Sequence, residues 1–285
     1  MKNFWVRTAS AAVYAVLFLG SIYSGRLLGS PVAGTFFLTA FALFVAIGCT
    51  FEFFRIVGMQ GATPSRWLGY LMVAYITVCL SVLEIPVPDF PRAVLLGIAF
   101  LGMLVATPSV LALQLWKHSE RPFADAVYTL LPVLYIAVPM GLMTMLHNSS
   151  NVLVMCIIMV WVNDCFAYMG GSLFGKHKMW PRHSPGKTWE GTAIGVVFAV
   201  LVGIFVGPLF KTGLLSYDWV VLALIFGIVG TLGDLTESML KRSVGLKDSG
   251  NIMPGHGGFL DRFDSLLFIL PFVAAYCLFV ESRGF

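Results

Sequence analysis

Charge is scarce in this chain. Lys, Arg, Asp and Glu make up 11% of its 285 residues, against roughly 25% in soluble domains. Hydrophobic residues make up 58%, and the mean hydropathy is +0.88. That composition excludes an ordinary water-soluble fold and points to a membrane protein. The net charge of +4 is too small and too scattered for a nucleic-acid surface. Cys49, Cys79, Cys156, Cys165 and Cys277 sit singly in apolar runs without metal-like pairing, so they read as buried, reduced thiols. No internal repeat, low-complexity segment or linker marks a second domain. No clear small-x-small cleavage site follows Lys2, Arg7 and the first apolar run, so that run is expected to remain as an uncleaved helix.

What is abundant is long apolar stretches. A bilayer takes about 20 apolar residues, and nine candidates appear near 8–24, 32–54, 67–84, 93–115, 126–146, 151–171, 191–210, 217–236 and 264–280. The first is short and the third ends softly at Glu84. Pro108, Pro132 and Pro139 fall within spans, where neighbouring helices can restore the lost hydrogen bonds. With the N-terminus inside, fourteen of the eighteen Lys and Arg residues face the cytoplasm, and only Arg26, Arg92, Lys211 and Arg283 lie outside. The expectation is an all-α polytopic membrane protein of about nine transmembrane helices with a cytoplasmic N-terminus. Residues 1–150 hold about five spans. Residues 151–285 hold the rest and two charged cytoplasmic loops, 172–190 and 237–263, and form the expected catalytic region.

The densest charge lies in Thr231–Asp264. Asp234 and Glu237 are at i, i+3 near the end of the eighth span, and Asp261 and Asp264 repeat that spacing at the start of the ninth. The helix macrodipole alone accounts for acids at a helix N-terminus. It disfavours Asp234 at a C-terminus, which therefore needs a cation or a donor. Three carboxylates from two helix ends suit Mg²⁺, which takes oxygen ligands and keeps waters or substrate phosphates in its shell. Between them, Gly245, Gly250, Pro254, Gly255, Gly257 and Gly258 make a loop able to wrap its N–H groups around an anion. Lys241, Arg242, Lys247 and Arg262 add compensating charge there, or follow the positive-inside rule at lipid headgroups. His256 is a phosphate donor or a turn residue.

The second cluster spans 163–191. Asn163 and Asp164 lie in the cytoplasmic third of the sixth span with Tyr168 one turn on, and an ionisable residue at that depth marks a functional site or an interhelical bond. The following loop carries Lys176, Lys178, Arg182 and Lys187. Gly170–Lys176 meets the P-loop pattern until His177, and Ser184–Thr188 has GKT but Pro181 where the first Gly belongs. Neither follows a strand, which excludes a P-loop NTPase and leaves a flexible basic loop suited to a polyphosphate, with Ser184 and Thr188 as hydroxyl donors.

The run SMLKRSVGLKDSGNIMPGHGGFLDRFD, Ser238 to Asp264, resembles the signature of the phosphatidate cytidylyltransferases, or CDP-diacylglycerol synthases. GDLTES (233–238) and SPGKTWEG (184–191) also resemble family segments, and the likeness is strongest over about 160–264. It implies transfer of a cytidylyl group from CTP to phosphatidic acid, giving CDP-diacylglycerol and pyrophosphate. It implies Mg²⁺ as cofactor and a second, monovalent cation such as K⁺. Position by position, it implies Asp234, Asp261 and Asp264 as catalytic metal-site acids, and places Lys187 and Asp164 in the region of nucleotide binding or catalysis. Lys176, Lys241, Arg242, Lys247, His256 and Arg262 complete the expected substrate-binding set. The expected partners are CTP, phosphatidic acid and membrane lipids, without nucleic acid; a homodimer stays open. The expected location is a bacterial inner membrane with the site on the cytoplasmic face.

Two rivals share some of these features. An ion-coupled transporter would place acids near mid-membrane and often shows repeated halves; here the acids gather at one face. A CTP-using polyprenol kinase would share the topology and the metal acids but release CDP, and the unbroken signature favours cytidylyl transfer.

Overall fold

The computed structural model describes residues 2–83, 91–146, 150–210, 212–252 and 257–282. The described residues are predominantly helical, and the chain divides into two compact units, 1–148 with 248–262, and 149–247 with 263–285. His256 lies outside the described residues, as do Glu84, Lys211 and Arg283.

In the first unit α1 (Lys2–Leu28), α2 (Pro31–Met59), α3 (Arg66–Val82) and α4 (Arg92–Leu113) follow one another. Ser30 caps α2 through Oγ, which accepts the Ala33 N–H at 3.3 Å, and Pro31 occupies the first turn, where its missing N–H costs nothing. α2 packs on α1, α3 and the helices that follow α4, burying Leu38, Ala42, Val45, Cys49 and Phe53. α5 (Pro122–Pro132) and α6 (Val138–Met145) are joined by one π-helical turn, Val133–Ala137. Pro132 cannot donate to the helix ladder, and the wider turn absorbs the break. Thr144 donates to Ser81 Oγ at 2.9 Å, tying α6 to α3.

The second unit holds α7 (Ser150–Phe174), α8 (Trp189–Val206), α9 (Ser216–Arg242) and most of α10 (Leu260–Glu281). Glycines set its helix spacing. A methyl group at Gly195 would lie 2.7 Å from the Asn163 carbonyl, and one at Gly233 would lie 2.6 Å from that of Asp264. Only hydrogen fits at such crossings, which is how small residues let helices approach in a membrane.

Among the described residues, seven helical stretches are long and apolar enough to span a bilayer: Pro31–Met59, Arg92–Trp116, Pro122–Met145, Ser150–Phe174, Trp189–Phe210, Ser216–Arg242 and Leu260–Glu281. Ala12–Leu28 and Arg66–Val82 are apolar but shorter. This is a polytopic all-α membrane architecture.

Two local expectations are corrected. The stretch after the sixth span is not a flexible loop: β1 (Lys178–Trp180) and β2 (Ser184–Thr188) form an antiparallel hairpin that pairs Lys178 with Thr188 and Trp180 with Ser184. The second charged loop does not begin at 237. α9 continues to Arg242, and Glu237 pairs with Lys241 one turn on, which supports the helix through its charged end.

Candidate active site

The SPGKTWEG segment is built as a strand running into a helix. Thr188 ends β2 and caps α8, its Oγ1 accepting the Gly191 N–H at 3.2 Å. Glu190, in the first turn of α8, reaches back to accept the N–H groups of Lys176 and His177 at 3.2 Å and faces His177 Nδ1 at 2.5 Å. Gly175 is required where the chain leaves α7, since a methyl group there would lie 2.7 Å from Thr188 Cγ2. Arg242 Nε donates to the His183 carbonyl at 3.4 Å, holding the hairpin turn to the end of α9.

These elements enclose a cavity of ≈ 690 Å³, within the range of small-molecule sites. α7 lines it with Asn163, Asp164, Tyr168 and Ser172, the hairpin with Lys178, Ser184, Lys187 and Thr188, and α9 with Thr231 and Asp234. Lys187 Nζ meets Asp234 Oδ2 at 2.6 Å, and Ser238 Oγ donates to Asp234 Oδ1 at 3.2 Å. The cation that an acid near the end of α9 needs is therefore Lys187. Asp164, Asp234 and Asp264 lie within electrostatic reach of one another and of Lys187.

Asp164, Lys187, Asp234 and Asp264 are thus brought together. Other expected site residues stand elsewhere. Lys241 is buried and paired with Glu237. Arg242 donates to the Leu246 carbonyl at 2.7 Å as well as to the hairpin. Lys176, Lys247 and Arg262 are exposed.

Asp261 belongs to the first unit, where its Oδ2 accepts the N–H groups of Ser249 and Gly258, each at 2.8 Å. Beside it sits Glu52 of α2, an acid that sequence reasoning passed over. Glu52 is 1% exposed and accepts Ser249 Oγ at 2.6 Å, Phe259 N–H at 3.0 Å and Leu260 N–H at 2.9 Å. Its sequence signal was a lone acid inside the second apolar run. The expectation that the glycine loop wraps its amides around an anion is met with a correction. Among the described residues, the amides of Ser249, Gly258, Phe259 and Leu260 turn to carboxylates of the chain itself.

Mg²⁺ fits the donor chemistry of the second unit, since carboxylate oxygens are its usual protein ligands. Among the described residues no three His, Cys, Asp or Glu side chains form a complete metal-ligand group. Mg²⁺ does not need one when water and substrate phosphate fill its shell.

The cytidylyltransferase family model matches residues 5–280. The phosphatidate cytidylyltransferase of Staphylococcus epidermidis is 30% identical over 269 residues, covering 93% of this chain and 96% of its own. The Staphylococcus saprophyticus enzyme of the same name is 29% identical over 269 residues, and that of Staphylococcus aureus 30% over 274, with the same coverage. The matched span takes in the hairpin and the clustered acids, and the chain belongs to the cytidylyltransferase family.

Proposed function

We propose that the chain transfers the cytidylyl group of CTP to phosphatidate, forming CDP-diacylglycerol and pyrophosphate. The observation that carries this reading is the pairing of Lys187 with Asp234 in a cavity of the second unit that Asp164 and Lys178 also line, with Asp264 within electrostatic reach of both acids. The names of the staphylococcal relatives support it.

A phosphatidate oxygen is already anionic near neutral pH, so it needs little help from a base. It attacks the α-phosphorus of CTP, the bond from that phosphorus to the bridging oxygen breaks, and pyrophosphate leaves. The difficulty is bringing two polyanions together and holding the departing charge, which is work for positioning and fixed electrostatics. Lys187 and Lys178 supply positive charge in the cavity, and Ser172, Ser184 and Thr231 present hydroxyls. Asp234 and Asp264, with Asp164 in electrostatic reach, would hold Mg²⁺ in the second unit, and Asp261 is a metal-site acid by its signature position. Bound there, the ion would supply positive charge against the phosphates of CTP and the departing pyrophosphate.

The same reading takes all nine apolar stretches as spans with the N-terminus cytoplasmic, which puts the hairpin and 237–263 on the cytoplasmic side of a bacterial inner membrane. The asymmetry of Lys and Arg supports that orientation.

The test is pyrophosphate release by detergent-solubilised protein given CTP, phosphatidate, Mg²⁺ and K⁺. Phosphatidate-dependent release that disappears in a folded Asp234→Asn variant is expected. No release from folded wild type under these conditions would overturn the assignment.

A further inference from the structure

Glu52 carries more of this fold than a lone acid in an apolar helix should. A carboxylate 1% exposed is costly to bury unless hydrogen bonds meet its oxygens, and here three donors do. All three come from one segment of about a dozen residues, nearly 200 positions along the chain. The backbone has been cleared for the contact: a methyl group at either Gly250 or Gly258 would collide with the Glu52 carboxylate. One turn further along α2, Arg55 donates to the Ser249 carbonyl, so a second side chain of the same helix grips the same residue.

The grip passes to Asp261 through Ser249. The serine hydroxyl donates to Glu52 at 2.6 Å and accepts the Asp261 N–H at 3.3 Å, while the serine N–H donates to Asp261 Oδ2 at 2.8 Å. Glu52, Ser249 and Asp261 form a continuous relay in which α2 fixes both the backbone and the carboxylate of Asp261. We infer that Glu52 is a positioning residue for cytidylyl transfer, setting Asp261 and the glycine-rich segment 248–262 from within the apolar core of the first unit. The inference rests on the reaction proposed above for its effect on rate, and on geometry alone for the anchoring.

The measurement uses the full chain in detergent, with Glu52→Gln as the variant, and reads two quantities. Amide hydrogen exchange reports on the anchor: peptides covering 248–252 and 257–262 should exchange about tenfold faster or more, while α7 and α8 keep wild-type protection. Steady-state kinetics per folded molecule report on positioning: kcat should fall about 10- to 100-fold, as expected for slight misplacement of a catalytic group, with KM for CTP changed less than about threefold. A merely structural role would lower the yield of folded protein and leave kcat per folded molecule unchanged. Unaltered exchange, or faster exchange with kcat intact, would overturn the inference. If Glu52→Gln does not fold, Ser249→Ala removes the relay hydroxyl while leaving Glu52 on the Phe259 and Leu260 amides, and the same two outcomes decide. Should wild type release no pyrophosphate, the proposed reaction fails, and the exchange measurement alone upholds or rejects the anchor.

Discussion

Two sets of acids, one in each unit, are satisfied in opposite ways. In the first unit Glu52 and Asp125 are each 1% exposed and filled with donors from the chain. Asp125 takes the Thr63 N–H at 2.7 Å, the Thr63 hydroxyl at 2.6 Å and the Ser119 hydroxyl at 2.6 Å. In the second unit Asp164 and Asp234 line the cavity with Asp264 within electrostatic reach of both, and Lys187 meets Asp234 at 2.6 Å. A carboxylate saturated by main-chain N–H groups and hydroxyls holds segments in place. Carboxylates beside open space still demand cations, and under the reaction proposed above a metal-bound nucleotide would meet that demand.

The largest effect that would break this contrast is at Lys187. Replacing it with Ala removes the ammonium from the cluster and from the cavity wall. Pyrophosphate release should fall about 10³-fold, equivalent to about 4 kcal/mol of barrier, while thermal unfolding in detergent stays near that of wild type. A large loss of stability with kcat per folded molecule preserved would instead put Lys187 among the scaffold groups, and the distinction between the units would collapse.

Asp125→Ala tests the other side. It strands the Thr63 and Ser119 donors that joined the α2–α3 connection to the first turn of α5. Losing the acceptor of three part-buried hydrogen bonds should cost about 1–2 kcal/mol, seen as a lower Tm, with kcat per folded molecule within about twofold of wild type. A drop in kcat without a drop in Tm would show that a saturated acid can also serve the chemistry directly.

The contrast between the units was only half legible in the sequence. The apolar stretches could be read because a span is a continuous local signal of about 20 residues. The acids of the second unit could be read because they are dense in a chain with so little charge. The hairpin escaped because its strands are three and five residues long, and β2 contains Pro185 and Gly186, residues usually depleted in strands. The end of α9 escaped because a charged turn after an apolar run looks like a loop, and only the Glu237–Lys241 pairing reveals its helical spacing. Glu52 escaped for a different reason: its partners, Ser249, Phe259 and Leu260, lie about 200 residues away. Loop glycines that clear room for an anion look the same whether that anion is a substrate phosphate or a side chain of the same protein.

Glu190 sits between the two kinds of acid and sharpens the boundary with the smallest effect. Like Glu52 it accepts backbone N–H groups, those of Lys176 and His177. Unlike Glu52 it is partly exposed, with 27% of its side chain reachable by solvent, and it borders the cavity, since the turn it holds leads from Gly175 to Lys178, both of which line it. Water can replace part of what its removal takes away, so Glu190→Gln should leave folding nearly unchanged and loosen only the start of β1. Because Lys178 then meets the triphosphate from a less fixed strand, KM for CTP should rise about threefold to tenfold with kcat little changed, the mark of lost binding that is uniform between ground and transition states. A fall in kcat with KM constant would place Glu190 with the acids that act on the reaction itself. A fall in Tm with unchanged kinetics would place it with Asp125.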